Sequence, residues 1–193
     1  MQAVFIIFTY WGKCYQIIYM SNRFKLAKEE YKNEDENGRN RLVYAYYGLS
    51  IYYAQCLEET FLIMLLVKRI NNKEIHSTYT THELIEMMET SKKTMGNFIN
   101  EVTQNYKLPE KTIKQLEKTL ELRNYLIHNY FKVHISKFSV PNGKLEMIKY
   151  FCEFIDNVVQ LDDNLNKYYQ VYIQRFGITQ EQINLALNDL KKL

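Results

Sequence analysis

Residues that interrupt helices are scarce in this sequence, which has two prolines and six glycines among 193 residues. Few breakers favour long helices joined by few turns over a fold of many short strands, and neither strand-like alternation nor an internal repeat is present. Hydrophobic residues make up 47% of the chain and charged residues 24%, which excludes a disordered tail and allows a sizeable core. The length suits a single domain.

Signatures of several enzyme classes are also missing. The sequence has no GxxxxGKS or GxxxxGKT phosphate loop, no GxGxxG loop, no HExxH pair and no Cys/His cluster. Its three cysteines, Cys14, Cys56 and Cys152, lie far apart without a CxxC spacing. We therefore expect no cofactor and no metal, with Cys56 and Cys152 as buried, reduced thiols of a cytoplasmic protein. The net charge of +3 permits an anionic partner without requiring one.

Residues 1–20 form an apolar segment of a different character. Ala3 to Trp11 is nearly all apolar, but it is too short for a transmembrane helix and lacks the basic region and cleavage site of a signal peptide. Met20 to Arg23 reads like an ordinary start followed by a polar helix. Two interpretations stay open: a mis-called start ahead of a domain over residues 21–193, or a segment that packs on the domain or touches a membrane. Membrane association is the less favoured expectation.

Apolar residues recur at helical spacing in four long segments. The four main helices are predicted over Leu42 to Arg69, from Thr80 or Thr81 with an apolar face as far as Val102, from Pro109 to about residue 132, and over residues 144–175. A short helix over residues 22–33 and a last helix over Glu181 to Leu190 are predicted as terminal additions. Breaks are predicted at Glu34 to Gly38, Asn71 to Lys73 and Ser139 to Gly143. The expected fold is all-α, an up-and-down bundle of four main helices.

The third predicted helix carries the strongest candidates for chemistry. Asn124 and His128 are i and i+4 and share a helix face, and Arg123 lies about 140° around the helix from His128. A guanidinium forks onto phosphate oxygens, and an imidazole can accept a proton and return it near neutral pH. The pair therefore suits cleavage of RNA without a metal, because the ribose 2′-hydroxyl is itself the nucleophile. Tyr130, i+7 from Arg123, is predicted to share its face.

The spacing of Arg123 and His128 is by itself a weak signal. Arg69 and His76 show a similar spacing across a polar break, where it looks accidental. A structural interpretation therefore stands beside the catalytic one: Arg123 in a salt bridge at a helix end, and His128 as a partly buried histidine.

The other histidines and two glutamates are expected to have structural or solvated positions rather than catalytic roles. His76, His82 and His134 lie in or beside polar connections or after the third helix, and we expect them to be solvated. Glu58 and Glu59 lie on a helix that looks buried, where an internal hydrogen bond or a position at the rim is favoured over catalysis.

The string LRNYLIHNY, from Leu122 to Tyr130, resembles the signature of HEPN domains. That signature is an Arg, a polar residue that is often Asn, three variable residues and a His, late in a helix of an α-helical bundle. The Tyr two residues after the His resembles HEPN toxins that are paired with minimal nucleotidyltransferases. The motif covers Glu121 to Tyr130, and the likeness in architecture covers residues 42–175.

The resemblance implies a metal-independent endoribonuclease of a toxin–antitoxin or phage-defence system, acting on RNA as a homodimer whose two motifs face each other across a cleft. Carried over, Arg123, Asn124 and His128 form each half-site. Tyr130 lines it and is the residue that a nucleotidyltransferase antitoxin would adenylylate, and Glu58 is a further substrate-binding or regulatory candidate. Some HEPN domains are not catalytic, so a helical interaction module is the alternative.

Overall fold

A computed structural model of the chain describes residues 23–71 and 94–175. Within these ranges the chain forms six α-helices and no strand, which confirms the all-α expectation. The helices are α1 (Arg23–Asn33), α2 (Glu36–Asn71), α3 (Met95–Tyr106), α4 (Glu110–His128), α5 (Tyr130–Phe138) and α6 (Pro141–Arg175).

The described residues belong to two compact units. Residues 23–58 and 108–163 form the first, which we call the site unit because it contains all of the predicted site residues. Residues 59–71, 94–107 and 164–175 belong to the second unit. Helices α2 and α6 contribute residues to both.

The core of the site unit is largest along α6, whose apolar residues return every three or four positions and so keep one face turned inward. The buried hydrophobic side chains of the site unit are Ala27, Tyr31, Leu42, Val43, Tyr53, Ala54, Leu57, Leu108, Leu116, Leu126, Tyr130, Met147, Ile148, Phe151, Cys152, Phe154, Ile155, Val158 and Leu161. Cys152 is a free thiol, as expected, and burial raises its pKa to about 12. Cys56 is half-buried, so the expectation that it is a buried thiol is wrong.

The predicted break between α1 and α2 is shorter than expected. The side chain of Asp35 accepts a hydrogen bond from the backbone N–H of Gly38 at 2.7 Å, as an N-cap residue does. Since this cap starts α2 at Glu36, only two residues separate the helices. The prediction of a helix over residues 22–33 is confirmed by α1.

The break before α6 is also short, because Pro141 lies in the first turn of that helix, where its missing N–H costs nothing. Gly143 follows, and a Cβ there would overlap the carbonyl oxygen of Lys137. The buried Lys144 then forms an ion pair with Glu36 at the start of α2. Glycine and this ion pair therefore set the corner between α5 and α6.

In the second unit, α3 begins at a capping motif. Thr94 and Asn97 form a capping box, in which the Thr94 side chain accepts from the Asn97 N–H and the Asn97 side chain accepts from the Thr94 N–H. The end of the predicted second main helix is thus a separately capped helix. The hydroxyl of Tyr106 donates to the carbonyl of Met64 at 2.6 Å. The buried hydrophobic residues of this unit are Phe61, Ile63, Met64, Leu65, Val67, Met95, Phe98, Ile99, Val102, Leu165 and Tyr169.

Several predictions fall outside the described residues: the segment over residues 1–20, Cys14, the helix start at Thr80 or Thr81, His76, His82, and the last helix over Glu181 to Leu190. Within residues 23–71 and 94–175, no helix is long and apolar enough to cross a membrane.

Candidate functional site

The helix that carries the Arg/His motif ends at His128. Asn129 leaves the helical region with φ −130° and ψ −25°, while its N–H still donates to the carbonyl of Tyr125 at 2.9 Å. The prediction of one helix to about residue 132 is therefore wrong, because α5 starts separately at Tyr130. Arg123 and His128 do lie on one helix, whereas the helical repeat that would place Tyr130 on the face of Arg123 is interrupted.

Arg123 forms an ion pair with a carboxylate of another helix. Its Nη2 lies 2.9 Å from Oε1 of Glu58 on α2, and the two side chains are 25% and 23% exposed. The approach is off the line that a hydrogen bond requires, so the buried Oε1 has no aligned donor among the described residues. On its other side the guanidinium donates from Nη1 to Oδ1 of Asn124 at 3.2 Å. These two contacts orient a group that has five N–H donors in all.

This contact bears on two expectations. Glu58, predicted as a substrate-binding or regulatory residue, lies directly against Arg123. The salt bridge of the structural interpretation is also present. Since a guanidinium with spare donors can hold a carboxylate and a phosphate oxygen together, the ion pair is compatible with anion binding.

His128 ends α4 and is exposed to solvent. Asn124, one turn earlier, is exposed as well, and since i and i+4 share a helix face the two side chains form one polar surface. The structural interpretation expected a partly buried His128, and that expectation is wrong. An exposed imidazole can reach the proton of a bound substrate, which is the first requirement of a general base.

Tyr130 is instead a core residue, with a side chain that is 3% exposed. Its ring centre lies 4.9 Å from those of Tyr150 and Phe151 on α6 and 4.7 Å from that of His134. Burial, together with the neighbouring Tyr150 and Tyr125, raises the pKa of the Tyr130 hydroxyl above its usual range. Its roles at the site stay predictions, and modification by a partner enzyme requires the ring to turn out of this aromatic cluster.

One histidine lies closer to the motif than the sequence indicated. His134, expected to be solvated, is half-buried within α5, and its Nε2 lies 3.0 Å from the hydroxyl of Tyr125 on α4. The expectation is therefore wrong. The backbone at His134 leaves the helical region, with φ −109° and ψ 16°. Its spacing of four from Tyr130, within an aromatic run, is the signal that could have indicated a packed residue.

Among the residues that the structure describes, no group of three or more His, Cys, Asp or Glu side chains is arranged to hold a metal ion. Arg123, Asn124 and His128 are themselves groups that can bind an anion or move a proton. Comparisons of the chain with protein-family models, with curated proteins and with solved structures give no match.

Proposed function

We propose that the chain is a metal-independent endoribonuclease of the HEPN type, an all-helical domain with α2, α3, α4 and α6 as its four main helices. It would act in a toxin–antitoxin or phage-defence system. The observation that carries the proposal is the arrangement at the end of α4. There Arg123 is oriented by Glu58 and Asn124, while His128 on the same helix is exposed.

The helix geometry supports joint action on one phosphodiester. Arg123 and His128 are five residues apart on an uninterrupted helix, so they are separated by roughly 7.5 Å along the axis and about 140° around it. Both are long side chains that can reach a group lying along that edge. Asn124, on the face of His128 and bonded to Arg123, can orient the phosphate or the imidazole.

The reaction follows from these groups. His128 takes the proton of the ribose 2′-hydroxyl as its oxygen bonds to phosphorus. The bond from phosphorus to the 5′ oxygen breaks, and an imidazolium returns a proton to that leaving oxygen. Arg123 stabilises the charge that develops on the phosphorane. The products are a 2′,3′-cyclic phosphate and a 5′-hydroxyl.

A homodimer supplies the groups that one chain lacks. Base and acid act on opposite sides of the phosphorus in the same step, and one α4 offers a single His128 to that step. A second copy, with its motif across the cleft, adds another imidazole and another guanidinium. Specific activity should therefore rise with protein concentration over the range in which monomers associate.

Control by a nucleotidyltransferase antitoxin is a further part of the proposal. Adenylylation of Tyr130 would add bulk and negative charge beside the motif and so repel an anionic substrate. Because Tyr130 is buried in this conformation, the antitoxin would bind a form in which the start of α5 has opened.

A second candidate is a helical interaction module without catalysis. The Arg123–Glu58 ion pair favours it, because a structural arginine makes the same contact. The two candidates differ in what His128 does.

The test is cleavage of a labelled RNA by purified protein in the presence of EDTA. We expect cutting with 2′,3′-cyclic phosphate ends, lost in His128→Ala and kept in Lys118→Ala, a matched change at another exposed position of α4. If His128→Ala cuts as well as the parent, or if the parent does not cut any RNA, the interaction module is the better account.

A further inference from the structure

An aromatic surface lies next to the motif on α2 and α5. The ring of Tyr44, whose side chain is 56% exposed, lies 5.9 Å from that of Phe131 and 5.3 Å from that of Phe138, measured between centres. Phe131 and Phe138 are themselves half-exposed. We call these three residues the aromatic surface. Tyr44 contributes little to the core, so the burial that usually explains an aromatic residue does not account for it.

The two segments that carry this surface contain cations and no carboxylate, and the nearby Glu36 and Glu146 are paired with Lys144 and Lys137. No Asp or Glu occurs between Glu121 and Glu146, or between Glu36 and Glu58. Arg41 precedes Tyr44 by one helical turn, Lys132 follows Phe131, and both cations are exposed. Aromatic rings flanked by cations, with carboxylates excluded from both stretches, complement a ligand that is anionic and carries flat rings.

The aromatic surface is also close to His128, the proposed general base. Phe131 follows His128 by three residues, so their Cα atoms lie within roughly 11 Å of each other. The hydroxyl of Tyr47 donates to the carbonyl of Leu126 at 3.3 Å, which joins this part of α2 to the end of α4. A strand held on the aromatic surface can therefore continue to Arg123 and His128.

We infer that the aromatic surface binds unpaired bases of the RNA substrate, with Tyr44 as the main stacking residue and Arg41 and Lys132 holding the adjoining phosphates. The inference rests on the proposed function and names its substrate class, single-stranded RNA. Stacking of a base on an aromatic side chain contributes about 1–3 kcal/mol per base. The bases of a duplex already stack on each other, so paired RNA of the same sequence binds less tightly.

The experiment measures binding apart from cleavage, in His128→Ala protein, by the fluorescence anisotropy of a short labelled single-stranded RNA. Tyr44→Ala should weaken binding about tenfold, within the range for one stacked base, whereas Tyr44→Phe should bind like its parent. The matched control is Tyr52→Ala, which removes a 41% exposed tyrosine two turns further along α2. It should leave the affinity unchanged.

Salt dependence tests the cations. For single strands, each phosphate contact adds about 0.7 to the slope of log affinity against log salt concentration. Arg41→Ala and Lys132→Ala should each lower the slope by about that amount. An unchanged slope in both variants would contradict the part assigned to these cations.

Other outcomes would overturn the inference. They are equal binding by Tyr44→Ala and its parent, equal weakening by Tyr52→Ala, or equal affinity for duplex and single strand. If Tyr44→Ala changes the oligomeric state in light scattering but not the RNA affinity, the surface is an interface between subunits.

The outcome separates this inference from the proposed function. Parent protein that cuts RNA, with no effect of Tyr44→Ala, keeps the ribonuclease and rejects the aromatic surface. RNA binding that depends on Tyr44, in a parent protein that does not cut RNA, keeps the aromatic surface and rejects the ribonuclease.

Discussion

Among the ion pairs that join helices of the site unit, Lys144–Glu36 and Arg123–Glu58 differ in which partner is buried. At the corner between α5 and α6, the side chain of Lys144 is 2% exposed and that of Glu36 is 63% exposed. At the end of α4, Arg123 and Glu58 are 25% and 23% exposed. The ammonium of Lys144 also lies 5.5 Å from the centre of the Phe138 ring. One pair is built around a cation enclosed by the protein, and the other around a cation that a ligand can reach.

This difference separates folding from function. A fully buried charge that loses its partner destabilises the folded state strongly, whereas a partly exposed ion pair contributes less to stability. We therefore expect folding to depend on Lys144 and Glu36. Activity should depend on Arg123.

The largest effect is expected for Arg123→Ala, in activity. Cleavage should fall by about a thousandfold, the upper end of what one preorganised donor to a developing anion contributes. The free energy of unfolding should fall by about 1–2 kcal/mol, because the buried Oε1 of Glu58 loses its paired cation while the rest of that side chain is partly exposed. Initial rates on a labelled RNA and urea titrations of the same preparations measure the two quantities. A stability loss of several kcal/mol with intact cleavage would exchange the roles of the two ion pairs.

The next effect is expected for Glu36→Ala, in stability. Removing this exposed carboxylate leaves the Lys144 ammonium buried without an anion, which should lower the free energy of unfolding by about 3 kcal/mol. Lys144→Met keeps the buried stem and removes the charge, and Glu36 is free to be solvated, so its cost should stay within about 1 kcal/mol. Urea unfolding compares the two variants. A greater loss in Lys144→Met than in Glu36→Ala would show that the charge of Lys144 is not the cause.

The smallest effect is expected for Tyr125→Phe, which gives the scale of an uncharged contact near the site. It removes the hydroxyl that lies 3.0 Å from His134 Nε2, and one hydrogen bond contributes about 1 kcal/mol to stability. Tyr44→Phe, at an exposed tyrosine, is the control and should unfold like the parent. Thermal unfolding monitored by circular dichroism is sufficient. Equal melting temperatures of Tyr125→Phe and the parent would mean that the hydrogen bond between Tyr125 and His134 contributes no net stability.

Much of the helical architecture could be predicted from local patterns. The apolar spacing along α6 indicated that helix to within three residues of its observed bounds, and the long run without breakers indicated α2, although α2 begins six residues before the predicted start at Leu42. The break at Asn129 could not be predicted in this way, because neither Gly nor Pro occurs from Glu110 to Val140. It accompanies the packing of Tyr130 on Tyr150 and Phe151, and such contacts between distant residues leave no mark in a local period.

The site shows the same limit. The sequence singled out Arg123 and Glu58 separately, but their contact joins two helices far apart in the chain. His134 was misjudged for a similar reason. Its partner Tyr125 lies on the other side of the break, and a continuous helix would have placed the two residues differently.

Helix α5 is held at both ends, and this has a consequence for binding. Tyr130 is buried at its start. Near its end the backbone of Lys137 closely approaches Gly143, and the side chain of Lys137 pairs with Glu146 at 2.8 Å. In the proposed complex, an RNA strand that reaches Phe131 and Phe138 thus meets rings whose spacing is already fixed by the protein. The conformational entropy lost in the complex then falls mainly on the RNA, so the entropy of binding should follow the stiffness of the strand.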